Sequence, residues 1–243
     1  MNHQQELDSI FAGFHNSNLE ASRARLVRGS TYENLSTVWV TPIPEDPPMV
    51  PAKVVFQSWL NLMMPMNQLV FRLPVVGMEV GDAYNQAVEI ILAHPQLSRA
   101  RYMLTVEWDN LPPPDGLLKL YESMKKFDVV GGLYWTKGEL GQPMIYGDPK
   151  VMPRNFIPQL PLPDSLQPCN GLGMGFTLFK LAIFKNLAKP WFKTLQEFDP
   201  QQGAKAATQD LYFFQNAAKE GYKFACDTRV KVGHLDVTSG QVW

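Results

Sequence analysis

Short apolar runs and amphipathic runs alternate along most of the chain. "STVWVT" (36–41) is β-branched and aromatic and predicts a strand that stops at the proline-rich "PIPEDPPMVP". "AKVVFQSWLNLMM" (52–64) has the length and apolar spacing of a helix, and "QLVFRLPV" (68–75) predicts a second strand. "GMEVGDAYNQAVEIILAHP" gives a glycine turn, Asp82 as an N-cap, and a helix with Ala83, Ala87, Ile90 and Ile91 inward; Pro95 lies just past its end. "ARYMLTVEW" predicts a third strand, "DGLLKLYESMKKF" a third helix and "DVVGGLYW" a fourth strand. This alternation predicts an α/β fold with a mostly parallel central sheet flanked by helices. Sheets of that kind bind ligands outside the carboxyl ends of their strands.

The second half has a different pattern. Residues 137–169 are rich in Gly and Pro, with "QPMIYGD" as a short strand, and predict a long excursion over the surface. "GLGMGFTLFK" (171–180) is a glycine-rich turn entering a strand, "LAIFKNL" a short helix and "QQGAKAA" a mobile loop. "TQDLYFFQNAAKEGY" predicts a helix with an acid in its first turn and Gly221 at C′. "KFACD" and "RVKVGHLD" predict late strands. Residues 1–34 predict a helical lead-in, and no linker divides the remainder into independent domains.

Composition narrows the function classes. The net charge is −1, so no global basic field draws the chain to nucleic acid or anionic lipid. The start, "MNHQQELDSIF", lacks the basic and apolar regions of a signal peptide, and no apolar run reaches the length of a membrane span. Cys169 and Cys226 fit neither a disulfide framework nor a zinc pattern. They predict reduced thiols in a cytoplasmic protein.

Four places could carry chemistry. The third strand ends on Glu107-Trp108-Asp109. Side chains at i and i+2 of a strand point to one side, and two adjacent carboxylates repel unless a cation or proton lies between them. A hard divalent ion would relieve that repulsion; the alternative is a plain turn at Asp109-Asn110 with Glu107 solvated. His234 follows Gly233 at the end of a strand, either as a structural residue or as a ligand for an ion such as Mn²⁺. Asp210 either favours the N-terminus of its helix, which Thr208 can cap, or serves as a general base. "CNGLGMGF" places Gly171, Gly173 and Gly175 where backbone can approach a ligand closely. It is not a dinucleotide fingerprint, because a strand follows it and not a helix. Trp108 is set apart from the other tryptophans by its place between two acids.

The order of these elements resembles the GT-A class of nucleotide-sugar glycosyltransferases, especially the inverting family 2 type. The resemblance rests on "TVWVTPIP", "GDAYNQAVEIIL", "YMLTVEWDNLPPPDGLLKL", and "GMGFTLFKLAIFKNLAKPWF" followed by "TQDLYFFQNAAKEGYKFACDTRVKVGHL". Together they cover roughly residues 35–236, a graded match across the fold. The resemblance implies a single GT-A-like (Rossmann-like) domain with a smaller mixed acceptor-side region. Residues 35–136 would form the nucleotide-sugar-binding half, and 137–243 the acceptor-side and catalytic half.

The implied roles follow residue by residue. Thr41 and Pro42 would belong to the base-binding loop, and Asp82 would contact the base or ribose. Asn85 stands at the family's asparagine on the helix after the second strand. Glu107, Trp108 and Asp109 stand as a variant D-x-D, with Asp109 and His234 holding Mn²⁺ or Mg²⁺ on the donor diphosphate. Glu107 departs from the family's Asp, and its longer arm would reach the ion, the ribose or a metal-bound water. Gly173, Met174, Gly175 and Gln209 would lie on the acceptor side. Gln209-Asp210 replaces the family's Glu-Asp, with Asp210 at the position of the catalytic base. The loop 198–207 would order over bound donor. The resemblance thus implies transfer of a sugar from a UDP-, GDP- or dTDP-sugar to an acceptor hydroxyl on a glycan, protein or modified nucleic acid. The Glu107 and Gln209 departures keep open a binding protein of the same fold without turnover. A nucleotidyltransferase would need a basic, Gly-rich loop after the first strand, where this chain has an acidic, proline-rich one.

Overall fold

A computed structural model describes residues 21, 24–25, 34–45, 50–65, 68–199 and 203–243, with backbone alone at 196–199 and 203–207. The helical lead-in expected over 1–34 therefore lies almost wholly outside the described residues. The strands are β1 (Thr37–Ile43), β2 (Val70–Val76), β3 (Tyr102–Val106), β4 (Asn110–Leu111), β5 (Val129–Leu133), β6 (Ile145–Tyr146), β7 (Leu166–Cys169), β8 (Gly171–Leu172), β9 (Phe176–Lys180), β10 (Leu195–Asp199), β11 (Gly203–Ala207), β12 (Phe224–Lys231) and β13 (Gly233–His234). The helices are α1 (Ala52–Gln57), α2 (Val80–Ala93), α3 (Gly116–Ser123), α4 (Ala182–Asn186) and α5 (Gln209–Lys219).

Seven strands form the central sheet in the order β2-β1-β3-β9-β5-β12-β7. β1, β2 and β3 are mutually parallel, β5 and β12 are parallel to each other, and β9 runs antiparallel to both β3 and β5. Five of the seven strands therefore point one way, with β9 and β7 reversed. The sheet is mostly parallel, as expected, and it draws strands from both halves of the chain.

Alternation along each strand sends side chains to opposite faces, and each face is covered. On β1, Val38 and Val40 join the cluster containing Ala83, Tyr84, Ala87 and Ile91 of α2 and Phe213 and Phe214 of α5. Trp39 points to the other face, with Leu117, Leu118 and Tyr121 of α3. β3 repeats the pattern: Met103 faces the first cluster, while Leu104 and Val106 face the second. Such strands have to be apolar on both sides, which explains why "TVWV" and "YMLTV" read as unbroken apolar runs.

Several local expectations change. The segment 52–64 forms α1 and then a single 3₁₀ turn, Trp59–Asn61. α2 is capped by Glu79, whose carboxylate accepts from the N–H groups of Gly81 (2.8 Å) and Asp82 (3.2 Å). Asp82 therefore lies inside the first turn and is exposed, not at the cap. Ile90 is 39% exposed, because its position on α2 faces away from the sheet. The expected loop at 198–207 is an antiparallel ribbon of β10 and β11, which pairs Leu195 with Ala207 and Asp199 with Gly203. The two late strands are one, β12, whose register with β5 shifts between Asp227 and Lys231.

β12 also carries a fully buried acid. Asp227 accepts from Ser123 Oγ (2.8 Å), from Arg229 Nε (2.9 Å) and from Arg229 Nη2 (2.7 Å). Removing the acid takes from Arg229 its shortest ion pair and leaves only the longer one to Glu122 (3.5 Å). Asp227→Ala should lower folding stability by about 3 kcal/mol, read as a shift in the urea midpoint. A shift no larger than that of an exposed acid would show that the pair contributes nothing.

Candidate active site

The topology brings three strand ends to one edge. β3 ends at Val106 and is followed by Glu107-Trp108-Asp109. β5 ends at Leu133 and continues into Tyr134–Lys137. β12 ends level with β5, Lys231 opposite Leu133, and leads to β13, where His234 pairs with Asn110. Because β9 is reversed, its start, preceded by Gly173-Met174-Gly175, lies at the same edge.

Asp109 is nearly buried, and its Oδ2 is the meeting point of two groups. Lys137 Nζ donates a hydrogen bond to it, and His234 Nε2 lies 3.4 Å away. His234 Nδ1 is 2.7 Å from the carbonyl oxygen of Trp135. A carbonyl only accepts, so Nδ1 carries the proton and, in the neutral ring, Nε2 presents its lone pair toward Asp109. A backbone carbonyl behind the distal nitrogen is the usual support of a metal-binding imidazole. Burial pushes the Asp109 carboxyl up, but His234, when its ring carries a proton on both nitrogens, and Lys137 outweigh it and hold it below the ordinary carboxylate range.

Glu107 makes no hydrogen bond to this cluster among the described residues, although it lines the same cleft as Asp109. A turn begins at the end of β3, with Asn110 N–H donating to the Glu107 carbonyl (3.1 Å), so the i, i+2 rule of strands does not carry across it. Glu107 Oε1 accepts from the Tyr84 hydroxyl (3.2 Å), and the residue makes no ion pair among those described. Burial, and then the charges of Asp109 and Asp210, push its carboxyl up to about 7; His234 and Tyr84 act the other way.

The glycines lie beneath the site. Gly175 donates its N–H to the Tyr134 hydroxyl (2.9 Å) and accepts the Glu107 N–H on its carbonyl (3.0 Å). A Cβ at Gly173 would fall 2.1 Å from that hydroxyl, and one at Gly175 would fall 2.6 Å from Asn110 Oδ1. Met174 is buried, and its carbonyl accepts from Thr105 Oγ1 (2.6 Å). Gly175 thus ties Glu107 to Tyr134, and the missing side chains of Gly173 and Gly175 leave the space that Tyr134 and Asn110 fill. The Asn110 amide is buried with no hydrogen-bond partner among the described residues.

A cleft of about 280 Å³ opens beside the acids, lined by Pro42, Ile43, Pro44, Met78, Val80, Glu107, Trp108, Asp109 and Gln209. Thr41 is buried behind this wall, accepting from Trp39 Nε1 (2.8 Å). Asp82 and Asn85 are not in the lining. The Asn85 amide accepts from the N–H groups of Trp191 and Phe192 (3.1 Å each) and donates to the Phe192 carbonyl (2.7 Å), so it ties α2 to the segment after α4. Gln209 reaches the cleft because the starts of α5 and α2 abut: a Cβ at Gly81 would lie 3.1 Å from Gln209 Cβ.

Asp210 is buried in the first turn of α5. Its Oδ1 accepts from the Thr208 hydroxyl and from the Leu211 N–H (2.9 Å), and Oδ2 takes neither bond. Thr208 stands at the N-cap but spends its hydroxyl on Asp210. Burial raises the Asp210 carboxyl, and these two bonds offset only part of the rise.

Lys137 is the residue that sequence reasoning missed. Its one signal is position, a cation four residues past the end of a strand whose carboxyl end shares the edge with Asp109. Among the described residues no group of three or more His, Cys, Asp or Glu could hold a metal ion. Asp109 and His234 nevertheless suit a divalent cation as a pair. Such ions are often bound by few protein ligands and completed by substrate phosphates.

The sheet and the cleft at its carboxyl edge define a GT-A-like α/β fold. A197 from STIV has a similar fold, with a TM-score of 0.59 over 85% of this chain and 92% of that one, at 15% identity. GalNAc-T7, solved with UDP, GalNAc and Mn²⁺, aligns with 85% of this chain and 45% of its own (11% identity, TM-score 0.49). S. aureus TarS 1-349 aligns with 79% of this chain and 57% of its own (12%, 0.44). No protein-family model and no curated protein sequence matches the chain. No helix among the described residues is long and apolar enough to cross a membrane.

The raised Asp210 carboxyl has a consequence for folding. Its native form binds protons more tightly than the unfolded chain, so stability falls as pH rises from about 3.9, the ordinary aspartate value, through the higher folded one. Asp210→Asn keeps an acceptor for both hydrogen bonds and removes this decline. Its Tm relative to the wild type should rise as pH increases above the ordinary aspartate value of about 3.9. A constant difference would mean that the carboxyl is not desolvated.

Proposed function

We propose that the protein is a metal-dependent inverting glycosyltransferase that moves a sugar from a nucleotide-diphosphate sugar to an acceptor hydroxyl. The observation that supports this best is the pairing of Asp109 with His234, its tautomer fixed by Trp135, at the rim of the cleft. In this reading residues 35–136 supply the donor half and 137–243 the acceptor half. Pro42, Ile43 and Pro44 form one wall for the nucleotide, and Trp108 forms the wall beside the acids. Asp109 and His234 would hold Mn²⁺ or Mg²⁺. When bound, the ion supplies a Lewis acid that offsets charge on the leaving diphosphate.

Asp210 is the base in this scheme. Its carboxylate accepts the proton of the acceptor hydroxyl, whose oxygen forms the new bond to the anomeric carbon as the bond to the diphosphate breaks. A single displacement inverts that centre and needs no covalent sugar–enzyme intermediate, unlike the two-step retaining route. Burial supports the role, because a carboxyl raised from the ordinary range is a stronger base. Gln209 beside it removes a charge that would compete for the proton and hydrogen-bonds donor or acceptor from the cleft wall.

The second reading, a nucleotide-sugar-binding protein without turnover, is favoured by Glu107 in place of an Asp, engaged by the Tyr84 hydroxyl, and by Gln209 in place of an acid. Thermal shift over a panel of nucleotide sugars with Mn²⁺ identifies the donor, and hydrolysis or transfer from that donor separates the readings. Asp210→Asn should lower transfer by about 10²–10⁴-fold while leaving donor binding nearly unchanged; undiminished transfer removes Asp210 from the base role. Asp109→Ala should sharply weaken Mn²⁺-dependent nucleotide binding, and unchanged calorimetric binding would refute the metal site.

A further inference from the structure

The turn after β5 does two things to one carboxylate. Trp135 offers its carbonyl to His234 Nδ1, and two residues later Lys137 gives its ammonium to Asp109 Oδ2, the oxygen that faces His234 Nε2. The turn itself is well braced. Trp135 bridges to Pro143, Thr136 N–H donates to the Gln142 carbonyl (2.9 Å), Gln142 N–H donates to Thr136 Oγ1 (2.8 Å), and Gly141 N–H donates to the Gly138 carbonyl (2.9 Å). Lys137 is thus presented at Asp109 by a built structure, although its own side chain remains about a third exposed.

An ammonium and a divalent ion cannot share Asp109 Oδ2 without strong repulsion, which is weakly screened at a nearly buried carboxylate. A donor that arrives with the ion carries a diphosphate, and a diphosphate is a better partner for the displaced ammonium than water. The long, flexible lysine stem allows that exchange without backbone movement.

We infer that Lys137 is the resident cation of the Asp109 site, which it yields to a divalent metal in order to bind the donor's diphosphate. The inference rests on the proposed metal site and adds a positioning and donor-binding role for a residue outside it. Metal and donor then favour each other's binding, because each relieves a cost imposed by the other's absence. Metal without donor must displace Lys137 into solvent.

Two binding measurements test this without turnover. Mn²⁺ is titrated in the absence of nucleotide into the wild type, Lys137→Met, Lys137→Arg and Asp109→Ala, with free ion read by electron paramagnetic resonance. Lys137→Met should bind Mn²⁺ about tenfold or more tightly than the wild type, and Lys137→Arg should match the wild type, since it keeps the competing charge. Lys137→Gln, which retains a donor for Asp109, is the replacement if the Met variant does not fold. Inorganic pyrophosphate added to the Mn²⁺-saturated proteins is the second probe, and removal of the charge should weaken its binding about tenfold.

If Mn²⁺ binding is lost in Asp109→Ala but equal in the wild type and Lys137→Met, the exchange falls and the metal site stands. Unchanged pyrophosphate binding overturns the donor half of the inference. If none of the four proteins binds Mn²⁺, with or without pyrophosphate, the metal site falls and Lys137's role falls with it.

Discussion

The reversed strand β9 is the constraint on which the rest of the edge depends. It lies between β3 and β5, bonded to both, and runs against them. A strand that enters where its neighbours leave brings its preceding turn to the carboxyl edge. The backbone of Gly175 can therefore hold Glu107 and Tyr134 together. It also sets the spacing between the end of β3, with Asp109, and the end of β5, with Lys137. The carboxyl edge of a parallel sheet is ordinarily served by loops alone. Here it gains a rigid floor.

On that floor, charges are placed by burial as much as by contact. Asp109 keeps its charge because the Lys137 ammonium and the His234 ring, when protonated at Nε2, face it, whereas Glu107 and Asp210 are raised because burial is their largest influence. Three carboxyls at one edge thus have different affinities for protons, which allows acids of similar type to take different roles.

The fold was largely legible in the sequence. Apolar runs of strand length, separated by helices with Ala83, Ala87 and Ile91 on one face, imply a covered parallel sheet. Asp109, His234 and Asp210 stood out as polar residues at the ends of elements, and the topology places all three near one edge. What was not legible depends on local geometry. A turn begins at Glu107, so strand periodicity alone does not fix how Glu107 and Asp109 face each other. Asn85 looked available for a ligand, but its whole amide is bonded to the backbone at Trp191 and Phe192. Lys137 gave no pattern at all, since only the long-range pairing of β12 with β5 and of β13 with β4 brings its turn, Asp109 and His234 to one place.

The glycines at 173 and 175 bear on how such a protein can diversify. Their missing side chains are filled by the Tyr134 hydroxyl and the Asn110 amide, so any side chain there disturbs the support of the acids before it meets a ligand. New specificity has to be built elsewhere. The arm between β6 and β7 is the natural place: Met152, Ile157 and Leu160 are strongly exposed there and make no part of the core. Variation in that arm alters what the surface offers while the floor keeps its shape, and a combinatorial library aimed at new contacts would begin there.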